Sequence, residues 1–379
     1  MTSLIILKQQ HTESTYASEF AYLWSVCQAQ VRQVFDSVET IIYADNTSAT
    51  IKPGQADYVL LLGRENIQFT AASLRHMKDA IDQGAKIVVP QRLVDFPSAK
   101  DTPIYTLRDY ENIEAKILSE GDRSHISSRS LLPISLIAGS VYDLHLSKIP
   151  VSEIFSKPDL LEITLITRAG VYHQFIDYYG QVRDDILPYL PQQAHHVLEV
   201  GCGRGLTGRF IQNRLGCRVT GVELNPVVAQ EAEQHLWRVI VGDIQTVPLE
   251  QNTYDAAVAT ELFEHLVEPE LFLEKMRRVL KPGGRIILSV PNIGHYAIVE
   301  DLIAGRWDYI PIGLLCYTHV RFFTGATIEA WLTRLGFATY QIIPQLTELP
   351  ERFLTLPASF EVDVENLRAK GFYVIIDNA

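Results

Sequence analysis

The sequence predicts an α/β protein of two domains, a doubly wound C-terminal sheet following a separate N-terminal α/β domain. Three observations carry this. The length of 379 residues exceeds what one compact domain usually holds. Short apolar runs alternate with amphipathic stretches, and this alternation starts twice along the chain. In the second half, a buried strand pattern runs straight into a glycine-rich turn and then a helix, HHVLEVGCGRGLTGRF over 195–210.

The elements follow in order. SLIILKQ (3–9) reads as a buried strand and 16–36 as a helix. VETIIYAD (38–45), DYVLLLG (57–63) and AKIVVPQ (85–91) read as strands, with a helix at 69–84 closed by Gly84. Strands alternating with helices imply a mostly parallel sheet covered on both faces. The pattern weakens over 96–150. Residues 151–191 read as a helical linker, broken around Pro188 and Pro191. In the domain spanning 192–379, strands are expected at 196–201, 218–223, 237–242, 254–260, 284–290, 337–343 and 371–377. Helices are expected at 206–214, 226–235 and 268–280.

Composition narrows the partners. Apolar residues make up 47% and charged residues 21%, which suits a chain with a proper core. A net charge of −12 argues against nucleic acid or an anionic membrane surface as the main partner. Cys27, Cys202, Cys217 and Cys316 lack a CxxC pair and read as reduced thiols. The first ten residues lack the basic lead and apolar length of a signal peptide. No window has 18 consecutive apolar residues, so the cytoplasm is the expected address.

Gly201, Gly203 and Gly205 let the backbone turn sharply and approach a ligand. Gly203, Gly205 and Gly208 even satisfy the dinucleotide GxGxxG spacing. Glu199 decides against a pyrophosphate, which a carboxylate in the preceding strand would repel. A cofactor with an ammonium and a sulfonium, S-adenosylmethionine, would instead be held by it, directly or through water. The next strand ends in Glu223, suited to accept both ribose hydroxyls. The third ends in Asp243, suited to the adenine amine, with the Ile244 backbone beside the ring. Each acid could be a helix cap on its own. All three at strand ends, with the glycine turn, point to one cofactor.

With TYDAAVATELFEHL (253–266), RVLKPGGRIILSVPN (278–292) and YTHVRFFTGATIEAWLTRLGF (317–337), the segment 192–379 resembles the class I methyltransferases. It is most similar to the subgroup with ubiquinone-pathway O-methyltransferases and methyltransferases of bacterial glycan synthesis. The resemblance implies a Rossmann-like methyltransferase sheet and S-adenosylmethionine as cofactor. It completes the cofactor set with Cys202, Leu224, Thr260 and Glu261. The expected reaction is O-methylation of a sugar, glycan or other small polar metabolite, with a phenolic or quinone-like acceptor as the alternative.

Methyl transfer needs a positioned nucleophile and, for a hydroxyl, a proton acceptor. His265, His319 and Glu264 are the catalytic candidates, with His265 or His319 as general base. Glu261-Leu-Phe-Glu264-His265 also resembles the metal-binding ExxEH of small-RNA 2′-O-methyltransferases, with His319 as the fourth ligand. Two carboxylates and two imidazoles suit a divalent metal ion; the ion-free reading is preferred. His295 is expected to pack or to touch substrate. Tyr296, Trp307, Tyr309, Tyr317, Phe322 and Phe323 form an aromatic set in segments that usually cover the acceptor.

Residues 1–150 resemble the nucleotide-sugar-binding half of GT-A glycosyltransferases. Where those enzymes carry Asp-x-Asp for a divalent ion, this chain has Gly63-Arg64-Glu65-Asn66. A degenerate relative is expected, one that recognises a glycan or nucleotide-linked acceptor or supports a homodimer. A third reading of the whole chain is a nucleotide-sugar-binding module with an attached methyltransferase fold.

Overall fold

The computed structural model describes residues 2–10, 17–44, 55–63, 67–95, 105–119, 134–139, 142, 164–173, 178–353 and 362–378. The chain divides into two compact units, Met1–Ile176 and Asp177–Ala379.

The first unit holds a seven-stranded sheet in the order β2-β1-β3-β6-β5-β7-β4. Its strands are β1 (Ser3–Gln10), β2 (Ser37–Ala44), β3 (Tyr58–Leu62), β4 (Ile67–Phe69), β5 (Ile87–Asp95), β6 (Ile134–Ala138) and β7 (Thr164–His173). β1 pairs in parallel with β2 and β3, and β5 with β7. β6 runs antiparallel between β3 and β5, and β4 runs antiparallel to β7. Every residue of β3, YVLLL, is buried, as expected for a strand covered on both faces. Described helices are α1 (Ala17–Val31), α2 (Ala71–Asp82) and α3 (Leu107–Ser119). Thr70 starts α2 by accepting from the Ser73 amide at 3.2 Å, and Gly84 at φ 104° follows its end.

Two sequence expectations change here. The described residues of 151–191 form no helical linker: β7 lies among them, and the described residues after it hold 3-10 turns at Tyr178–Gly180 and Asp184–Tyr189. The first unit therefore runs to Ile176 rather than ending at 150. The physical reason is tertiary. β7 satisfies its backbone against β5, with Ile87 opposite Thr164 and Asp95 opposite His173, a pairing invisible to local periodicity. Asn66, Glu65 and Arg64 lie outside the described residues.

The second unit holds a seven-stranded sheet in the order β10-β9-β8-β11-β12-β14-β13. Its strands are β8 (His196–Val200), β9 (Arg218–Glu223), β10 (Arg238–Val241), β11 (Tyr254–Thr260), β12 (Leu280–Pro291), β13 (Tyr340–Leu346) and β14 (Ala369–Asp377). β8 to β12 are parallel, while β14 is antiparallel to both β12 and β13. All seven expected strands are present. Helices α4 (Leu206–Leu215), α5 (Pro226–Ala232), α6 (Pro269–Val279), α7 (Tyr296–Ile303), α8 (Gly325–Arg334) and α9 (Val364–Arg368) complete the unit.

Local chemistry sets the helix starts nearest the site. Asn225 accepts from the Val227 amide at 3.0 Å, and Pro226 occupies the first position of α5, where its missing N–H costs nothing. The order of β8, β9 and β11 reverses the winding direction at β8, so the C-terminal ends of β8, β9, β11 and β12 open a crevice. That is the edge at which the predicted acids and glycines stand.

Candidate active site

The turn after β8 is held close to its neighbours. Gly201 and Cys202 donate backbone N–H groups to the Val222 carbonyl at 2.8 and 3.2 Å. Gly203 has φ 53°, and a Cβ there would lie 2.6 Å from the Tyr179 carbonyl oxygen. Gly208 sits on α4 where a Cβ would meet Glu199 Oε2 at 2.5 Å, so a side chain there would part the helix from β8.

Glu199 is buried, and its Oε2 has no hydrogen-bond partner among the described residues. Burial pushes its carboxyl up to about 8, the Gly208 N–H pulls it down, and nearby Glu223 raises it further. Glu223 lies across the crevice: its Oε2 accepts from the Gly203 amide and its Oε1 from the Asn225 amide, both at 2.9 Å. Those bonds leave lone pairs on both oxygens. Burial raises this carboxyl too, against the Asn225, Gly203 and Leu224 amides. Leu224 beside it is 69% exposed, an apolar side chain standing open at the crevice. Asp243 is exposed and accepts from the Gln245 amide at 2.9 Å, while Ile244 is buried beside it. Lys275 on α6 donates to the Ile244 carbonyl at 2.6 Å and also to that of Val247, which fixes this loop.

After β11 the chain turns sharply. Glu261 has φ 49°, an uncommon backbone for a non-glycine residue. Its amide donates to Ser289 Oγ at 3.0 Å, and Ser289 donates back to Glu261 Oε1 at 2.5 Å. Arg183 joins them, donating to Ser289 Oγ at 3.2 Å with its guanidinium 3.6 Å from Glu261 Oε1. Asp185 grips the other side of Arg183 through Nε and NH2 at 3.0 and 2.9 Å, and Tyr373 donates to Asp185. The Arg183 amide bonds Thr207 Oγ1 at 3.1 Å, and the Arg204 amide bonds the Tyr179 carbonyl at 3.0 Å. A strap over 178–183 thus lies against the glycine turn. Sequence reading missed Arg183 and Ser289: the first fell in a presumed helix, and the second stood inside RVLKPGGRIILSVPN without being singled out.

A 3-10 turn, Phe263–His265, brings the next group together. Ligand atoms of Glu264, His265 and His319 all lie within 4.8 Å of one another. His265 Nδ1 meets the Thr318 carbonyl at 3.2 Å and His319 Nδ1 meets the Leu314 carbonyl at 3.1 Å. A carbonyl only accepts, so each Nδ1 carries the hydrogen and each Nε2 presents a lone pair. His319 Nε2 lies 3.8 Å from Glu264 Oε1. Glu264 is fully buried, with both oxygens unpartnered among the described residues. Burial, then the charge of Glu261, holds its carboxyl well above the usual range. Burial pushes His319 down to about 3, with His265 adding to the shift, and burial lowers His265 as well. Both imidazoles are therefore neutral at physiological pH. The 317–323 segment is pinned here by the Val320 and Arg321 amides, which donate to the Glu264 carbonyl at 3.0 and 3.1 Å.

The four-residue ExxEH set is corrected to three. Glu261 is turned away to Arg183 and Ser289, its backbone bent into the left-handed region. Thr260 ends β11 half-buried beside it. His295 is wholly buried; its Nδ1 accepts from the Ala297 amide at 3.4 Å, capping α7, and Thr347 lies at its Nε2. This is a packing role.

Comparison with known proteins bears on the class of the second unit. Residues 172–342 match the family model described as a methyltransferase domain. A ubiquinone biosynthesis O-methyltransferase of Coxiella burnetii is 24% identical over 166 residues, covering 41% of this chain and 70% of the relative. One from Xanthomonas axonopodis pv. citri is 29% identical over 161 residues, covering 40% and 66%. Among solved structures, an S-adenosylmethionine-dependent methyltransferase from Archaeoglobus fulgidus is similar at 20% identity and TM-score 0.39, covering 51% of this chain and 90% of that one. The second unit is a class I methyltransferase domain. The protein is a methyltransferase enzyme, and S-adenosylmethionine is its cofactor. Among the described residues, no helix is long and apolar enough to cross a membrane.

Proposed function

We propose that the protein transfers a methyl group from S-adenosylmethionine to a hydroxyl of a sugar, glycan or other small polar metabolite. The observation that carries the oxygen acceptor is the pair of neutral imidazoles beside Glu264, His319 buried and His265 half-buried, both with Nε2 lone pairs left by their Nδ1 carbonyl contacts. Glu199, the turn from Gly201 to Gly205 with Cys202, and Arg183 would hold the amino-acid end of the cofactor. Glu223 and Leu224 would take the ribose, Asp243 and Ile244 the adenine, and Thr260 and Glu261 would border the sulfonium.

Bound there, S-adenosylmethionine would supply an activated methyl group to an acceptor hydroxyl, the O–C bond forming as the S–C bond breaks and the electron pair staying on the sulfur of S-adenosylhomocysteine. The hydroxyl proton passes to Nε2 of His319 or His265, whose Nδ1 carbonyl contacts orient the ring and stabilise the cation formed.

One observation favours a second reading of the same cluster. A fully buried carboxylate without a donor is costly, and a divalent ion would supply the missing partner. Glu264, His265 and His319 fit such an ion, which would add positive charge beside the acceptor hydroxyl and lower its pKa. The ubiquinone relatives support a phenolic hydroxyl as the alternative acceptor. For the first unit, the parallel sheet interrupted by antiparallel β6 is compatible with the degenerate GT-A reading, under which the unit would recognise the acceptor. A homodimer built on this unit, and a cytoplasmic address, remain part of the same proposal.

The test is transfer of labelled methyl from S-adenosylmethionine into fractionated cell extract, with and without a chelator. Label in a polar, glycosidase-sensitive fraction is the expected result. Label only in an organic-extractable fraction would move the acceptor to a phenol. Loss of label with chelator would assign the ion to the cluster.

The pH dependence of cofactor binding follows from Glu199. Its folded pKa is raised from 4.5 to about 8, so in the ligand-free protein its contribution to stability is full below 4.5 and lost as pH rises to about 8. The cationic cofactor favours the ionised carboxylate. Binding below pH 8 should therefore release a proton, and affinity should rise as pH approaches about 8. Calorimetry in two buffers of different ionisation heat measures this directly; identical heats would mean that Glu199 does not face the cofactor charge.

A further inference from the structure

The six aromatic residues in the segments after β12 do not share one fate. Phe323 is 7% exposed and packs into the core on Phe263, at 5.4 Å and 26° between rings, and on Trp331 at 5.7 Å. Tyr296 lies against His295 and Phe353. Trp307 instead meets both Tyr309 and half-buried Phe322 nearer the surface. Trp307 stands perpendicular to Phe322, at 5.3 Å and 79°, and to Tyr309, at 6.4 Å and 86°. Trp307 is 38% exposed and Tyr309 is 46% exposed. One exposed aromatic needs no explanation, but a half-exposed Trp307 in ring contact with two further aromatics does.

Their place in the chain ties them to the chemistry. Phe322 precedes Phe323, which bridges Asn292 at the end of β12. It follows His319 by three residues, a span of at most about 10 Å of chain. Arg306 and Asp308, the residues flanking Trp307, are joined by a 2.9 Å hydrogen bond and set a fixed donor and acceptor beside the rings.

We propose that Trp307, Tyr309 and Phe322 form the platform on which a sugar ring of the acceptor stacks, with its hydroxyl rim against Arg306 and Asp308. A pyranose offers a face of polarised C–H bonds, which suits the negative face of an aromatic ring. It also offers hydroxyls that a charged, hydrogen-bonded pair can read. A phenol shares the stacking and makes little use of the pair. The platform holds the sugar while one of its hydroxyls reaches the His265–His319 cluster. This inference rests on the methyltransferase reading and adds the acceptor class and the residues that select it.

Saturation-transfer NMR on the full chain saturated with S-adenosylhomocysteine tests it. The probes are methyl glycosides of neutral hexoses and 6-deoxyhexoses, with catechol alongside. The expected result is transfer to the ring C–H protons of a glycoside, weakened about tenfold or lost in Trp307→Ala and kept in Trp307→Phe, with cofactor-product affinity unchanged in both. Transfer to catechol alone, lost in Trp307→Ala, would overturn the sugar class. Transfer to no probe, or transfer indifferent to Trp307→Ala, would overturn the platform. Failure to bind S-adenosylhomocysteine would instead strike the methyltransferase reading. Trp307→Phe keeps the test decisive if the alanine variant folds poorly.

Discussion

His319→Ala is expected to lower kcat by roughly 100-fold or more while leaving the Kd for S-adenosylmethionine unchanged, the scale of a lost general base. The expectation comes from geometry. His319 Nδ1 is tied to the Leu314 carbonyl, so Nε2 is left to receive a proton beside Glu264. Burial keeps the ring neutral, which is the form a base needs before reaction. The cofactor contacts proposed for Glu199, Glu223 and Asp243 come from other strands, so binding should survive. Single-turnover rates and calorimetric affinities on the same variant separate the two effects. A fully active variant would remove His319 from the chemistry and shift the proton to His265.

The second large effect is expected at Glu223. Glu223→Ala should raise the cofactor Kd by about tenfold or more, since a charge-assisted pair is worth ~1.5–3 kcal/mol. The carboxylate already accepts from the Gly203 and Asn225 amides, so it is fixed in place before a ligand arrives. Pre-organisation of this kind lowers the cost of binding two ribose hydroxyls. Glu223→Gln keeps the shape but gives up the charge and one acceptor, and should fall between the two. Unchanged affinity in the alanine variant would place the ribose elsewhere.

Much of the second unit was legible because its signals are local. Buried runs such as HVLEV and RVTGVE mark strands, and Asn225-Pro226 marks a helix start, each readable without knowing what lies opposite. The strand over Thr164–His173 was not legible, because its pairing with β5 overrides a local pattern that reads equally well as helix. The site shows the same division. Glu264 and His265 stand together because they are adjacent, and His319 joins them through backbone bonds that recur to the Glu264 carbonyl. Glu261 was misplaced because the ExxEH resemblance carries no information on backbone direction, and here the backbone turns left-handed and hands the carboxylate to Ser289 and Arg183. Arg183 and Ser289 are 106 positions apart, and no sequence spacing links them.

A crystal structure of the protein with S-adenosylhomocysteine would test the account most directly. The account predicts ribose hydroxyls on Glu223 and the sulfur directed toward the open side of the His265–His319–Glu264 cluster. A ribose seated away from Glu223, or a sulfur facing away from both imidazoles, would contradict it.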